Sequence, residues 1–458
     1  MVTTSLDRIA HSRAALAHTV SGRTWRQAFA LGRADATVAP AIRVGLAGAV
    51  VLIAGGLLGR PDLAGFAALG AMCASFGRYE PYPRRAGKLA LVSALIVLYA
   101  TLGALLGAVT LSTVVQVVAI SLAAGVAALL LSAFAVMGPG AVILVFASTA
   151  AVAFAHTAAD VVTVFVATSV GAAVGLVAAL LPAVLHPVGP AQLAVARALA
   201  AVDEKQDGPA RAAIARARTV VTLNGGRTAD RHSLGLMTLL DDAEALLDAW
   251  ARGDDPAHAA DILAHERALR KMRRYDDLPV RAAASLGERP RNFFTDGATR
   301  MTSRPLVLNG IRIAAAATLA AWCATALGFE HPLWATMGAM AAMQGITFHT
   351  TVQRGIQRLL GNVAGAAIAA GLLALSLGYW QAIVAVVALQ VTAELLVLKN
   401  YGLLSLAVTP MALILTGLAG DLSPAIALDR VGDTLVGVLI GIAVAALTIE
   451  IGDRQHLI

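Results

Sequence analysis

Charged residues and cysteines are scarce in this sequence. Of its 458 residues, 14% are charged, 5% are aromatic and two are cysteines, whereas 58% are hydrophobic. A single water-soluble core cannot cover that much apolar surface, which excludes an ordinary globular protein. Cys73 and Cys323 both lie in apolar stretches, so neither a disulfide framework nor a metal site is predicted. The composition predicts an integral membrane protein, with the lipid bilayer as a partner.

Long apolar runs divide the chain into two membrane regions. A helix needs about 20 mainly apolar residues to cross the hydrocarbon layer. Six apolar runs lie within residues 39–186 and six more lie within residues 305–451. Residues 187–304 are polar and rich in arginine, with apolar residues at helical spacing, which predicts a cytosolic helical domain. Residues 1–38 and 452–458 are predicted to be cytoplasmic tails.

The two membrane regions repeat each other in sequence. The first spans open with "AIRVGLAG" and "GIRIAAAA", the second carry "FAALGAM" and "WATMGAM", and the last carry "TSVGAAVG" and "TLVGVLIG". Because each region has an even number of spans, both would keep the same orientation across the membrane. The predicted fold is therefore an all-α integral membrane protein of about 12 spans, with two six-helix repeats related by a pseudo-two-fold axis along the membrane normal.

Basic residues predict the orientation of the chain. Lysine and arginine in short loops stay on the cytoplasmic side of a membrane. With both termini inside, 31 of the 35 basic residues lie in cytoplasmic segments or tails. The prediction is a multi-pass plasma (inner) membrane protein with both termini in the cytoplasm. The net charge of +7 thus reports on topology, and no nucleic-acid partner is predicted.

The second region carries a recognisable series of motifs. In order, it contains "HPLWATMGAM", "RGIQRLLGNVAG", "ELLVLKNYGLLSLAVTPMALIL" and "DRVGDTLVGVLIG". This series resembles the fusaric acid resistance (FUSC) or aromatic acid exporter family. The resemblance implies two six-helix membrane regions with cytosolic helices, and efflux of aromatic or other weak organic acids. It also implies a more distant similarity to plant aluminium-activated malate channels, which use one such six-helix unit per subunit.

Acidic residues inside apolar spans are candidates for moving protons, because burying them in a membrane is costly. Glu394 lies about one turn from the cytoplasmic end of its span, and it is either a structural carboxylate near the headgroups or a proton or gating site. Asp433 follows Arg430 by one helical turn, and this spacing favours a local ion pair over a transport role. In the first region the aligned positions are Val164 and Ala167, so a charge-based mechanism would be asymmetric.

Basic residues near the spans are candidates for binding anions. Two pairs at four-residue spacing stand at repeat-equivalent positions, and their alternatives are membrane anchoring and concentration of anions at the inner mouth. A further repeat-equivalent pair lies deeper in the first and seventh spans and supplies stronger candidates for ligands. The candidates are Arg84, Lys88, Arg354 and Arg358 in the pairs, and Arg43 and Arg312 in the spans.

A short span after a proline is a sequence pointer to a transport pathway. The second and eighth spans follow Pro61 and Pro332 in this way, although packing alone also explains their methionines and glycines. The candidates for lining a pathway are Trp334, Met340, Gln344, Asn400 and Pro410.

No nucleotide-binding, protease or hydrolase motif is present, so no enzyme activity and no cofactor are predicted. The leading hypothesis is a secondary transporter that exports organic anions and is coupled to the proton gradient. The alternatives are a gated organic-anion channel and a non-transporting membrane scaffold. The sequence leaves open the substrate, the coupling ion and assembly into a homo-oligomer.

Overall fold

The described residues form helices joined by turns and loops, and no β-strand is found among them. The computed structural model describes residues 5–32, 37–110, 112–136, 138–225, 230–254, 256–257, 259–271, 278–281, 285–288, 290–345, 347–418, 425–449 and 453. The all-helical membrane fold predicted from the sequence is thereby confirmed.

Twenty α-helices and one short 3-10 helix follow one another along the described chain. Two precede the first membrane region and are α1 (Ser5–His18) and α2 (Gly22–Ala28). The first membrane region contains α3 (Val38–Leu57), α4 (Pro61–Ala71) with a short 3-10 helix (Met72–Ser75), α5 (Tyr82–Val109), α6 (Thr113–Ala133), α7 (Val142–Phe154) and α8 (Ala158–Leu180). The intervening segment contains α9 (Pro182–Leu185), α10 (Gly189–Asp203), α11 (Asp207–Asn224), α12 (Arg231–Ala251), α13 (Ala259–Arg270) and α14 (Phe293–Met301). The second membrane region contains α15 (Arg304–Ala326), α16 (Pro332–Met343), α17 (Phe348–Ala374), α18 (Tyr379–Leu396), α19 (Tyr401–Gly417) and α20 (Ile426–Leu447).

Eight of the described helices, rather than twelve, are long and apolar enough to cross a membrane. They are α3, α5, α6, α8, α15, α17, α18 and α20. The second and fifth helices of both regions are shorter, with 11 and 13 residues in α4 and α7, and 12 and 17 in α16 and α19. At 1.5 Å per residue, helices of that length do not reach across ~30 Å of hydrocarbon on their own.

The two membrane regions pack on each other in a reciprocal way. The first helix of one region contacts the fourth helix of the other, as α3 does with α18 and α15 does with α6. Both contacts depend on glycine: a β-carbon at Gly45 would lie 2.5 Å from the side chain of Val391, and one at Gly125 would lie 2.5 Å from the carbonyl oxygen of Gly310. Small residues let membrane helices approach closely, which explains the glycines that recur in both regions.

The N-terminal helices α1 and α2 dock on the second membrane region. Ala15 and Ala28 share an apolar cluster with Phe348 and Val352 of α17. His18 Nε2 lies 2.7 Å from His349 Nδ1, and the amide of Gly32 donates a 2.7 Å hydrogen bond to the carbonyl of Lys399. The chain before the first long span is therefore part of the packed structure around the start of α17.

Residues 77–89 and 179–296 form a compact unit of their own. Its core consists of aliphatic side chains of α10 to α13, including Leu199, Leu236 and Leu240. Ion pairs cover its surface, with Arg218 bonded to Asp241 and Glu244 at 2.7 Å. Amphipathic helices with a charged outer face are what the polar, arginine-rich sequence predicted here.

Candidate functional site

Five polar side chains are buried where α17 packs against α20. They are Arg358 and Asn362 on α17, and Arg430, Asp433 and Thr434 on α20, and we call them the α17–α20 charge cluster. Arg358 is 4% exposed, Arg430 is 5% exposed and Asp433 is fully buried. The glycines of both helices explain this placement, because Gly355 approaches Val438 and Ile442, and Gly437 approaches α16. Charges so deep in an apolar bundle are costly, and such residues are functional candidates by default.

Hydrogen bonds satisfy only part of this cluster. The Asn362 amide donates a 2.9 Å hydrogen bond to the hydroxyl of Thr434. Neither carboxylate oxygen of Asp433 has a hydrogen-bond partner among the described residues, and neither does Nε of Arg358 or Arg430. The spacing predicted a local pair between Arg430 and Asp433, but the two side chains are not hydrogen-bonded. Buried polar groups in native proteins are nearly always bonded, so the cluster has capacity for water, an ion or a ligand.

The cluster carries an excess of positive charge. Two guanidinium groups face one carboxylate, and the like charges of Arg358 and Arg430 repel each other. Interactions between charges are several-fold stronger in an apolar interior than in water. An anion that entered the cluster would relieve the repulsion and satisfy free N–H groups. The arrangement therefore favours a small anion as a ligand.

An aromatic wall adjoins the guanidinium of Arg430. The Cζ atom of Arg430 lies 4.7 Å from the ring centroid of Trp334 on α16. The same indole stacks on the imidazole of His331, with 4.3 Å between ring centroids and 13° between planes. Stacked rings beside a cation hold both groups in place through cation–π attraction. Trp334, a candidate for lining the pathway, is therefore next to the charge cluster.

A second cluster of titratable side chains lies at the start of α16 and α20. A carboxylate oxygen of Glu330, a ring nitrogen of His331 and a carboxylate oxygen of Asp429 lie within 4.8 Å of one another. Burial lowers the pKa of His331, while the charges of Asp429 and Glu330 act in the opposite direction. Glu330 is exposed and the other two are half-buried. The amino-acid sequence alone does not reveal this group, because Asp429 lies about 100 residues from Glu330 and His331 along the chain.

Glu394 lies near the C-terminal end of α18, a helix that carries no member of the α17–α20 charge cluster. It is 5% exposed and takes part in a polar or electrostatic contact. Gln390, one turn earlier, lines a small, mostly apolar cavity together with Val44 and Leu52. Glu394 therefore remains a candidate whose surroundings differ from those of Asp433.

Three predicted anion-binding arginines contact oxygen atoms of their own chain. Arg43 donates to the carbonyl of Ala74 at 3.2 Å, and Arg312 donates to the hydroxyl of Thr448 at 2.7 Å. Arg354 donates to the amide oxygen of Gln344 at 3.0 Å and to the carbonyl of Ala341, and its guanidinium covers the ring of Tyr401. Of the six predicted cationic candidates, the structure brings only Arg358 into the charge cluster.

The cationic pair of the first region lies in the compact unit of residues 77–89 and 179–296. Lys88 is buried and bonds to Glu80 at 2.5 Å, while Arg84 lies 3.9 Å from Asp296. Both candidates therefore have acidic partners within their own unit.

The remaining candidates for lining a pathway have identifiable contacts. Met340 is fully buried, and Gln344 accepts the hydrogen bond from Arg354. Pro410 lies inside α19 and, because proline has no N–H, leaves the carbonyl of Leu406 without its helical donor. Asn400 caps α19 and donates hydrogen bonds of 2.8 and 3.0 Å to the carbonyls of Ala28 and Ala30.

Comparison with known proteins confirms the resemblance noted in the sequence. Residues 319–444 match the family model described as "Fusaric acid resistance protein-like". This segment contains every member of the α17–α20 charge cluster. The chain is also similar to "Uncharacterized membrane protein YvaC" of Bacillus subtilis (strain 168), with 31% identity over 142 residues. The alignment covers 30% of this chain and 22% of that protein, so the chain spans about a fifth of the relative's length. No solved structure matches the chain.

Proposed function

We propose that the protein is a secondary transporter that exports aromatic or other weak organic acids across the plasma membrane and is coupled to the proton gradient. The observation that carries this proposal is the buried α17–α20 charge cluster, with two guanidinium groups and a carboxylate that accepts no hydrogen bond from the described residues. The match of residues 319–444 to fusaric acid resistance-like proteins supports it.

In this proposal the cationic groups hold the carboxylate of the substrate. The Nε–H groups of Arg358 and Arg430 have no hydrogen-bond partner in the described part of the chain, and guanidinium groups bind carboxylates in a fixed geometry. An aromatic ring attached to that carboxylate would lie beside Trp334, which adjoins Arg430. Asn362 and Thr434 keep α17 and α20 in register at this level.

Asp433 supplies the link between substrate and protons. When Asp433 is charged, it offsets one of the two guanidinium charges. When it is protonated, that offset is lost and the net charge of the cluster rises by one. Proton binding and anion binding in one cluster are therefore thermodynamically linked. Glu394 is a second candidate, for a gate at the other end of the bundle.

The distribution of basic residues supports an orientation with both termini in the cytoplasm. In that orientation Arg43, Arg312 and Arg354 lie toward the cytoplasmic ends of their helices. They would attract organic anions toward the inner mouth, from which export begins.

A gated organic-anion channel is the second candidate function, because a positive cluster also lowers the barrier for an anion that merely permeates. Only a coupled transporter accumulates substrate above its equilibrium distribution. Flux against a gradient therefore separates the two functions, and any protein-dependent flux argues against a non-transporting scaffold.

The experiment is transport in liposomes that contain the purified protein. A panel of aromatic carboxylates is offered with and without a pH gradient, to the wild type, to Arg430→Gln and to Arg60→Gln. Arg60 is an exposed arginine that pairs with Asp62 at 2.8 Å and is a control for loss of one positive charge. We expect flux in the wild type and the control, and a loss of flux in Arg430→Gln. Equal flux in Arg430→Gln and wild type would contradict the proposal.

A further inference from the structure

We propose that Glu330, His331 and Asp429 form a proton port through which Asp433 exchanges protons with the aqueous phase. This inference rests on the proposed function and adds to it the route of the coupling ion. The route starts at the exposed Glu330, continues through the half-buried His331 and Asp429, and ends at the fully buried Asp433.

The three port residues and Asp433 lie close enough to one another to pass a proton from the exposed end to the buried end. The side-chain oxygen or nitrogen atoms of Glu330, His331 and Asp429 lie within 4.8 Å of one another. Asp429 precedes Asp433 by four residues on α20, which places the two carboxylates about one turn, or ~6 Å of helix rise, apart on the same face. A change of rotamer or one bridging water spans that distance.

His331 has the properties of a relay at neutral pH. Its Nδ1 atom is buried and has no hydrogen-bond partner among the described residues. Burial lowers the pKa of this imidazole, so it is mainly neutral near pH 7 and has a free nitrogen to receive a proton. The stack on Trp334 fixes the ring beside α20 while leaving the nitrogens free to react.

Each step moves one proton, and the proton that leaves one group is bound by the next. A hydronium ion from the aqueous phase gives its proton to the port, where an N–H bond forms on His331 or an O–H bond forms on Glu330 or Asp429. The proton then passes to an oxygen of Asp433, and the port returns to its original state.

The charges around Asp433 favour this end of the bundle over the other. Arg430 lies on the same helix, and Arg358 lies on α17, which runs from the end where α1 and α2 dock. A proton that came from that end would have to pass the guanidinium of Arg358, which repels it. On the port side Arg430 also repels a proton, but the two carboxylates of the port attract it and the imidazole of His331 can accept it. On α15, Arg312 bonds to Thr448 near the far end of α20.

The test separates substrate movement from proton movement in liposomes that contain the full chain. Substrate exchange is measured at equal pH on both sides, where no net proton movement is needed. Proton movement that accompanies net transport is measured with a pH-sensitive dye trapped inside. The variants are His331→Gln, Asp429→Asn and Glu330→Gln, and Asp62→Asn is the control for a partly exposed acid at the start of α4. Melting temperatures report on folding.

We expect the wild type and all four variants to exchange substrate at similar rates. Proton movement should slow by roughly tenfold or more in His331→Gln and in Asp429→Asn, in line with the loss of a proton-transfer group. Glu330→Gln, which changes an exposed side chain and should fold, should slow it less, and Asp62→Asn should not slow it.

The outcomes distinguish this inference from the proposed function. If the wild type exchanges no substrate, the proposed function is wrong and the port is wrong with it. If exchange persists and proton movement in His331→Gln and Asp429→Asn equals that of the wild type, the port is wrong and the function stands. If exchange and proton movement fall in parallel in these variants and in Glu330→Gln, the residues belong to the substrate path and the port is likewise wrong.

Discussion

Asn362 on α17 donates a 2.9 Å hydrogen bond to the hydroxyl of Thr434 on α20. Each partner has an arginine one turn away on its own helix, Arg358 before Asn362 and Arg430 before Thr434. This bond therefore ties together the two helices that carry the buried charges. We expect the geometry of the proposed anion site to depend on it, although neither partner is charged.

Removal of either partner should destabilise the protein. Thr434→Val or Asn362→Leu leaves a buried polar group unpaired, and each should lower the free energy of unfolding by about 1–3 kcal/mol. The double variant should cost less than the sum of the two single variants, because no group is left unpaired. Denaturant unfolding in detergent measures this. Thr392→Val is the control, since the exposed Thr392 bonds only to Ala388 of its own helix. Additive effects of the two single variants would show that the bond is unimportant.

Close packing of α16 on α20 should make Gly437 intolerant of alanine. A β-carbon at Gly437 would collide with the carbonyl of Ala335 and lie 2.8 Å from the amide nitrogen of Ala339. Gly437→Ala should therefore force the helices apart and lower both the melting temperature and transport. Gly371→Ala is the matched control in α17, since a β-carbon there would meet no described atom within 4 Å apart from the backbone of its own helix. It should be neutral or stabilising by about 0.5–1 kcal/mol. A Gly437→Ala protein as stable as Gly371→Ala would contradict the close approach.

Asn400 should hold the N-terminal segment through its amide nitrogen and cap α19 through its oxygen. Asn400→Asp keeps the acceptor for the amides of Gly402 and Leu403 but cannot donate to the carbonyls of Ala28 and Ala30. Limited proteolysis should cut near residue 30 faster in this variant. Asn400→Ala should show the same cleavage and an additional loss of stability of about 0.5–2 kcal/mol from the missing cap. Cleavage of Asn400→Asp at the wild-type rate would contradict the role of the nitrogen.

Stability should depend on pH through His331. Burial lowers its pKa from 6.5, so the unfolded chain binds this proton at a higher pH than the folded protein does. The unfolded state then holds more protons just below pH 6.5, and the free energy of unfolding falls as the pH drops through that range. When the pH is lowered from about 7.5 to about 5.5, the melting temperature of the wild type should fall further than that of His331→Gln. Parallel profiles for the two proteins would show that His331 does not contribute.

The sequence was sufficient for the membrane class and for much of the helix order, because long apolar runs have few alternatives to membrane helices. It overestimated the number of helices that cross the membrane, since α4, α7, α16 and α19 are apolar but too short to cross it alone. Glycines on the longer helices, such as Gly437, let these short helices pack closely inside the bundle. This depends on contacts between distant parts of the chain, which apolar runs do not reveal.

Sequence spacing gave a different account of the charged residues. It placed Arg358 with Arg354 at the start of a span, whereas α17 begins at Phe348 and carries Arg358 into the bundle. It favoured a local pair between Arg430 and Asp433; the two opposite charges attract each other, but no hydrogen bond joins them. Asn362 was overlooked, although its four-residue spacing from Arg358 is a signal of a shared buried face. Which charges meet is decided by the packing of α17 on α20.

Accumulation driven by a pH gradient tests most directly whether Asp433 of the charge cluster is the coupling site. Liposomes that contain wild type, Asp433→Asn or Glu394→Gln are given a transported aromatic carboxylate, and its internal concentration is followed as the gradient is imposed and then collapsed. Both substitutions keep the shape of the side chain and remove its titration. We predict accumulation above equilibrium in the wild type and in Glu394→Gln, and none in Asp433→Asn. Accumulation in Asp433→Asn at the wild-type level, with its loss in Glu394→Gln, would contradict the account.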